Sequence, residues 1–256
     1  MLTSFRGLRA ATTLAVCGAF LATPAAAQVI NPADEVEENP TGPIDFSANI
    51  TLASEYRFRG VDLSGGDPAL QGGVDLAHGS GFYVGSWAST LDNDTVGYGD
   101  VELDIYGGWS GDLSDAVSVD VGVIGYLYPD AGPGDFDYIE FYSSVGFGLG
   151  PAEATLGVAY APDQDSLGST DNLYLYTDLG VGVPGTPLTV TGHVGYTDGF
   201  LTFTNDSKAW DWSLGVEASS GPITVGAAYV GAEDDIGPGA YDFADDTFVV
   251  TLSAEF

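Results

Sequence analysis

The last ten residues, TFVVTLSAEF at 247–256, decide the fold class. Every second side chain is apolar, and the side chains between them are mostly polar: the apolar set is Phe248, Val250, Leu252, Ala254 and Phe256. A period of two is the pattern of a β-strand whose two faces meet different surroundings. A tilted strand of about 9–11 residues is long enough to cross a bilayer. The chain therefore ends in a predicted strand of membrane-spanning length.

The same period recurs along the chain from Phe46 onward. It predicts twelve strands, at 46–59, 68–78, 82–91, 100–110, 117–128, 138–149, 153–161, 172–183, 188–197, 209–219, 222–231 and 247–256. Short, turn-like connections alternate with longer acidic ones at 60–67, 92–99, 129–137, 162–171, 198–208 and 232–246. This alternation is typical of outer-membrane barrels. We therefore predict an all-β fold, a transmembrane antiparallel up-and-down β-barrel of about 12 strands over residues 44–256. A soluble all-β fold is disfavoured because its strands are usually shorter, about 5–6 residues.

The segments before the barrel have other roles. Residues 1–27 combine a basic start (Arg6 and Arg9), an apolar stretch and a small-residue end at Ala25-Ala26-Ala27, which predicts a secretory signal peptide. Residues 28–43 are acidic and contain several prolines, which predicts a flexible periplasmic segment.

Charge and composition exclude several classes. After residue 27 the only basic residues are Arg57, Arg59 and Lys208, against 37 acidic ones, and no cysteine remains. A surface this acidic does not bind nucleic acid, which needs lysine and arginine for its phosphates. Disulfides, thiolate metal sites and a cysteine nucleophile are also excluded. The 12% of aromatic residues argues against a disordered acidic chain.

The start of the predicted barrel resembles a known family. The run Ser54-Glu55-Tyr56-Arg57-Phe58-Arg59-Gly60, followed by PALQGGVDLAHGSGFYVGSWAS at 68–89, is similar to the N-terminal signature of the TorF-family porins of proteobacteria. Glu55 stands where that signature has Asp. The resemblance implies an outer-membrane location and a channel role, and it implies no catalytic residues.

The polar member of each alternating pair faces the lumen of such a barrel. This predicts an acidic lumen whose candidate residues are Glu55, Glu102, Asp104, Asp120, Glu140, Asp178, Asp211 and Glu217, with Asp75 and Glu255 also inside. Carboxylates along a low-dielectric wall attract cations and repel anions. Polar residues would face the lumen in any case, because lipid does not accept them.

Arg57 and Arg59 are two residues apart, so we expect both to point into the lumen near the outer rim, with Tyr56 and Phe58 facing lipid. They form either a constriction facing carboxylates or a structural ion-pair cluster. Aromatic residues near strand ends are expected to form interfacial girdles: Tyr83, Trp87, Trp109, Tyr142, Tyr160, Tyr196, Trp210, Trp212 and Tyr229.

We find no sign of catalysis, cofactor or metal. His78 and His193 are the only histidines, and no serine stands out as a nucleophile that either would activate. The acidic loops lack the ligand spacing of a known calcium loop.

The sequence thus predicts an outer-membrane channel for passive diffusion of small hydrophilic, preferentially cationic solutes. The alternative is a non-conducting barrel with a structural or loop-mediated binding role. Expected partners are outer-membrane lipid and the assembly machinery, for which Phe256 is the candidate signal. The oligomeric state is left open.

Overall fold

The computed structural model describes residues 44–256 except Pro133, Asp135 and residues 236–240. The predicted signal peptide and the whole of the acidic segment therefore lie outside the described residues. Among the residues that the structure describes, no helix has the length and apolar character needed to cross a membrane. The same residues contain one short 3₁₀ turn, at Asp165–Leu167.

Fourteen strands follow one another along the described chain. They are β1 Ile44–Ala53, β2 Arg57–Phe58, β3 Val61–Asp62, β4 Ala69–His78, β5 Phe82–Thr90, β6 Val101–Ser114, β7 Val117–Leu127, β8 Tyr138–Gly148, β9 Ala152–Gln164, β10 Thr170–Gly182, β11 Leu188–Gly199, β12 Lys208–Ser220, β13 Ile223–Ala232 and β14 Thr247–Glu255. Twelve of them, β1 and β4 to β14, form one closed antiparallel barrel in sequence order. The predicted twelve-stranded up-and-down barrel is confirmed.

The terminal strand closes this barrel. β14 pairs antiparallel with β1 from Asn49 opposite Glu255 to Ala53 opposite Thr251. Beyond the strand, the Phe256 N–H donates to the Ala48 carbonyl at 2.8 Å, and the Ala48 N–H donates to the Phe256 carbonyl at 3.0 Å. No wall strand is left with an open edge, which a membrane-spanning sheet requires because lipid offers no hydrogen-bond partners.

The outside of the barrel is apolar and exposed, whereas its inside is polar and buried. On β14, Phe248, Val250 and Leu252 are at least half exposed, whereas the intervening Val249 and Thr251 are buried. The same alternation covers the other wall strands, with outward side chains such as Ile105 and Leu214 at least half exposed. A closed barrel with an apolar outer belt and a polar interior is the architecture of bacterial outer-membrane proteins. The protein is an outer-membrane barrel.

The first predicted strand is too long. The wall strand β1 ends at Ala53, and residues 54–68 leave the wall and fold into the barrel mouth. Within them, β2 and β3 form a small separate hairpin, in which Arg57 pairs with Asp62 and Phe58 with Val61. We call residues 54–68 the inward segment. β1 therefore pairs directly with β4, from Ile44 opposite His78 to Ala53 opposite Ala69.

Candidate functional site

The inward segment turns sharply at its tip. Arg59 and Gly60, the two residues between β2 and β3, both have positive φ, 50° and 78°. Positive φ at both central positions is the requirement of the type I′ turn that suits two-residue hairpins. Gly60 also lies against the wall: a Cβ on it would come within 2.8 Å of the Gly231 carbonyl oxygen on β13. The tip is thus wedged against the inner wall.

The expectation that Tyr56 and Phe58 face lipid is wrong. Tyr56 is fully buried and Phe58 is 7% exposed. The Tyr56 ring packs on Trp87, and the Phe58 ring packs edge-on against Tyr126. The aromatic residues and the arginines alternate along the hairpin, which lies inside the barrel. The side chains on both faces of the hairpin are therefore buried. Arg57 and Arg59 consequently do not project from one wall strand.

Arg59 reaches across the lumen to the opposite wall. Its Nη2 donates to Glu140 Oε2 on β8 at 2.7 Å, and both side chains are 1% exposed. The guanidinium carbon lies 4.2 Å from the centre of the Tyr174 ring and 4.8 Å from that of Phe58. Burial alone lowers the pKa of Arg59, but the Glu140 carboxylate outweighs it, and the pKa is raised above its usual value. The buried arginine is therefore charged.

Arg57 holds the inward segment to the connection between β13 and β14, the last of the long connections, which lie on the extracellular side of such barrels. Its Nη2 donates to the Asp245 carboxylate at 2.8 Å and its Nε to Glu55 at 3.1 Å. Its Nη1 donates to the carbonyls of Asp245, at 3.0 Å, and of Gly60 and Phe243, each at 3.3 Å. A guanidinium that bonds three backbone carbonyls and two carboxylates has the contacts expected of a structural ion-pair cluster.

Three of the predicted acids lie beside the inward segment, and a fourth, Glu55, belongs to it. Glu102 accepts hydrogen bonds from Tyr56 at 2.9 Å and from Tyr128 at 3.4 Å. Glu140 accepts a second hydrogen bond, from the Tyr126 hydroxyl at 3.2 Å. Asp104 is fully buried beside them, and Glu55 is bound by Arg57 as described. The structure brings these four acids together with both arginines.

The other predicted acids form separate groups deeper in the barrel. Asp120 accepts from Tyr83 at 2.7 Å, and Tyr83 also bonds the Tyr142 hydroxyl at 2.6 Å. Asp75 accepts from Tyr106 at 2.7 Å. These contacts overturn the girdle assignment of three aromatic residues, because Tyr83, Trp87 and Tyr142 point inward and are buried. Glu217 is also buried, toward the short-turn end of β12, and does not meet the arginines.

His193 adds a cation that the sequence did not reveal. Its Nδ1 lies 2.6 Å from Asp178 Oδ1, and its Nε2 lies 3.0 Å from Asp211 Oδ1. Both ring nitrogens can donate to carboxylates only when both carry protons, so this geometry favours the imidazolium. Nε2 also lies 2.8 Å from the Tyr174 hydroxyl. Ser213 stands opposite His193 in the register, but the imidazole bonds the two carboxylates and the tyrosine, an arrangement unlike that of a hydrolase, in which the histidine activates a serine.

Glycines give the inward tyrosine rings room to lie flat on the wall. A Cβ on Gly157 of β9 would overlap the Tyr176 ring, and one on Gly195 of β11 would overlap the Tyr174 hydroxyl. A Cβ on Gly85 would likewise overlap the Tyr106 ring. The rings therefore cover neighbouring strands and project less into the lumen than their size suggests. The sequence contains the inward glycines, but which tyrosine each one faces depends on the strand register.

The outer half of the lumen is filled. One inward residue on each wall strand there is at most 2% exposed: Ala53, Gln71, Ser89, Glu102, Tyr126, Glu140, Ala161, Asn172, Thr197, Asp211, Val230 and Val249. In the inner half, inward residues such as Asn49, Ser118, Thr155 and Thr189 are partly exposed. The inward segment thus closes the outer end, while water reaches the lumen from the periplasmic end. Among the described residues, no three His, Cys, Asp or Glu side chains lie together as a metal site would require.

Comparisons with known proteins agree with this architecture. Residues 37–256 match the model of a family described as "Bacterial protein of unknown function (Gcw_chp)", and the chain belongs to that family. The TorF assignment itself is not confirmed by this match. A comparison of the sequence with curated proteins finds no significant relative.

Two solved porin structures have the same fold. The NanC porin aligns with a TM-score of 0.57 at 9% identity, covering 83% of this chain and 99% of its own. The KdgM porin, solved in complex with disordered oligogalacturonate, aligns with a TM-score of 0.55 at 6% identity, covering 82% and 98%. At such low identity, the likeness concerns the barrel fold alone.

Proposed function

We propose that this member of the Gcw_chp family is a porin-like channel for passive diffusion of small hydrophilic solutes, with a preference for cations. The observation that carries the proposal is the excess of carboxylates along the lumen. Within or beside the inward segment lie Glu55, Glu102, Asp104 and Glu140, and elsewhere along the lumen lie Asp75, Asp120, Asp178, Asp211 and Glu217. Permeation then needs no chemical step, which agrees with the absence of a catalytic arrangement around His193.

The counter-charges are too few to cancel this field. Arg57 and Arg59 are each bound to carboxylates, and His193 is shared between two of them. After residue 27, the only other lysine or arginine is Lys208, which is exposed at the start of β12. A net negative, low-dielectric lumen concentrates cations and excludes anions. Cation preference follows for any solute small enough to pass.

The inward segment is the constriction in this proposal. Arg59 and Glu140 connect it to β8, and Arg57 connects it to the connection that precedes β14. Because the outer half is closed while the segment is in place, conduction requires that the segment move or loosen. Separating a buried ion pair costs about 3–5 kcal/mol when one partner is left unpaired. Openings are therefore expected to be brief and infrequent.

A non-conducting barrel with a structural or loop-mediated role is the second candidate. It is favoured by one observation, the ring of fully buried inward residues in the outer half. A twelve-stranded barrel lies between barrels of about eight strands, which side chains can fill, and barrels of sixteen or more, which hold an open water channel. Strand number alone therefore does not decide between the two candidates.

Reconstitution into planar bilayers separates them. The refolded barrel is recorded under a KCl gradient, and its folding is verified by heat-modifiable gel mobility. Discrete conductance steps with a reversal potential displaced toward that of K⁺ support the proposal. Silence from verified folded protein supports the non-conducting barrel, and a reversal potential displaced toward that of Cl⁻ rejects the cation preference.

A further inference from the structure

A cavity of about 490 Å³ lies among the extracellular connections, outside the closed lumen. Of the described residues that line it, eight carry aromatic rings, five carry aliphatic side chains, and only Ser166 and Thr202 are aliphatic alcohols. Cavities that bind small molecules are typically 300–1,000 Å³ and mostly apolar, with a few placed polar groups. Both the size and the lining are therefore those of a ligand site.

Every extracellular connection contributes to this cavity. The inward segment supplies Phe58, Val61 and Leu63, and the other five connections and the start of β8 supply the remaining lining residues. The rings also support one another. Tyr98 packs on Tyr128 at 5.2 Å and on Phe136 at 5.4 Å, and Phe203 stacks on Phe243 at 5.1 Å. The walls are thus a set of mutually packed rings from distant parts of the chain.

An apolar surface is unusual among the acidic connections of this barrel. Phe200 lines the cavity and remains 47% exposed, although it lies on a connection and outside the lipid-facing belt. The surrounding connections are acidic, and the basic residues near them, Arg57 and Lys208, are paired with carboxylates. An anionic ligand is therefore repelled. The apolar lining in turn gives a charged ligand nothing to replace its lost hydration.

One buried polar atom of the lining makes no hydrogen bond within the described residues. The Oγ of Ser166 is buried and makes no hydrogen bond to any described residue. Two other hydroxyls of the lining are engaged, since Tyr128 donates to Glu102 at 3.4 Å and Thr202 donates to the Gly199 carbonyl at 3.2 Å. A buried, unsatisfied hydroxyl costs free energy until a partner arrives. Ser166 is placed to bond one hydroxyl or carbonyl group of a ligand.

We infer that this cavity binds a neutral, hydrophobic, ring-containing small molecule that carries a hydroxyl or carbonyl group. The rings of the cavity contact the ligand's ring, and Ser166 exchanges a hydrogen bond with its polar group. Because three lining residues belong to the inward segment, the ligand rests on the element that closes the lumen. The site itself does not depend on whether the barrel conducts.

The test uses 6-fluoro-2-naphthol as the probe, followed by ¹⁹F NMR, with the full barrel in lipid nanodiscs. Empty nanodiscs measure partition of the probe into lipid. We expect saturable line broadening above that background. Ser166→Ala should weaken binding about fivefold, the effect of one hydrogen bond. Leu201→Trp, which fills the cavity, should abolish saturation, whereas Leu149→Trp, an exposed site far from the cavity, should not.

The anion 6-fluoro-2-naphthoate serves as the charge control and should not saturate. Heat-modifiable mobility of each variant verifies its folding, and Phe200→Ser replaces Leu201→Trp if that variant does not fold. The inference is overturned if the naphthol partitions equally into loaded and empty nanodiscs. It is also overturned if Leu201→Trp binds as the unaltered protein does, or if the naphthoate binds as well as the naphthol.

Discussion

Arg59 Nη2 lies 2.7 Å from Glu140 Oε2, and the two residues are 81 positions apart in the sequence. One belongs to the tip of the inward segment and the other to the barrel wall, so the pair fixes the position of the segment in the lumen. Both charges are buried, and the pair is therefore far more sensitive to the loss of one partner than an exposed pair would be.

Glu140→Gln should destabilise the barrel and release the inward segment. The change leaves the buried Arg59 charge without its carboxylate, at a cost of about 3–5 kcal/mol. Urea unfolding in detergent, followed by gel mobility, measures the loss. The double variant Arg59→Gln/Glu140→Gln should recover a large part of it, since contacting residues are not additive. Asp198→Asn breaks the exposed pair with Lys208 and should have no measurable effect. Equal effects of Glu140→Gln and Asp198→Asn would contradict this role.

Arg57→Gln should loosen the outer anchor of the inward segment without altering its inner contact. Arg57 donates to Asp245 and to carbonyls of the last extracellular connection, and none of these bonds involves Glu140. Single-channel recordings should therefore show more frequent openings than in the unaltered protein. Lys208→Gln removes an equal charge from an exposed site and serves as the control. Identical opening frequencies in Arg57→Gln and Lys208→Gln would show that Arg57 is no anchor.

Gly157→Ala should destabilise the wall where Gly192→Ala does not. A Cβ at Gly157 overlaps the Tyr176 ring, whereas the nearest atom to a Cβ at Gly192 is the Ser213 carbonyl oxygen at 3.9 Å. Forcing a methyl group into a packed interior typically costs about 1–3 kcal/mol. The unfolding midpoint in urea measures both variants. If the midpoint falls equally in both variants, the Tyr176 ring can pack on the wall without a glycine at position 157.

Removal of Phe256 should impair insertion into the membrane. The residue is 77% exposed on the outer face, and its backbone makes two hydrogen bonds with Ala48 across the seam. Phe256→Ala keeps those backbone bonds and removes only the aromatic ring that we expect the assembly machinery to read. Phe82→Ala removes another exposed outward ring and is the control. The fraction of heat-modifiable protein in outer-membrane preparations should fall for Phe256→Ala alone. Normal insertion of Phe256→Ala would show that the Phe256 ring is not an assembly signal.

The barrel could be predicted from the sequence because its evidence is local. Alternation such as that of Phe248 to Phe256 appears within ten residues, and the lengths of the connections are also read directly. The same rule failed at 54–63, since a hairpin inside the lumen alternates with the same period as a wall strand. The hairpin is distinguished from a wall strand by its contacts with Glu140 and Asp245, which lie far away in the sequence.

The same limit applies to the aromatic residues. The inward position of Tyr83 could have been predicted from the alternation of the strand, because its neighbours Phe82 and Val84 are apolar and face outward. The glycine on which a given ring lies could not be identified, since it depends on the register of adjacent strands. The cation at His193 is hidden for the same reason, because Asp178 and Asp211 come from two other strands.

We propose that the inward segment controls conduction through an acidic lumen. Tethering the segment to the wall tests this control, since the described part of the chain offers a suitable pair of residues. A Cβ on Gly60 would lie 2.7 Å from the Ala232 Cβ and 2.8 Å from the Gly231 carbonyl oxygen. In Gly60→Cys/Ala232→Cys the tip must therefore move away from β13 until the two Cβ atoms are about 3.8 Å apart, the spacing in a disulfide. No other cysteine follows residue 17, so the mature protein that we predict would contain this pair alone.

The decisive measurement is the conductance of this double variant in a planar bilayer, before and after a reductant is added to the same molecule. Ala232→Cys alone is the control. We predict that the oxidised barrel stays closed, and that reduction restores brief, cation-selective openings. Equal conductance in the two states would contradict the account, because the lumen would then conduct with the segment fixed in place.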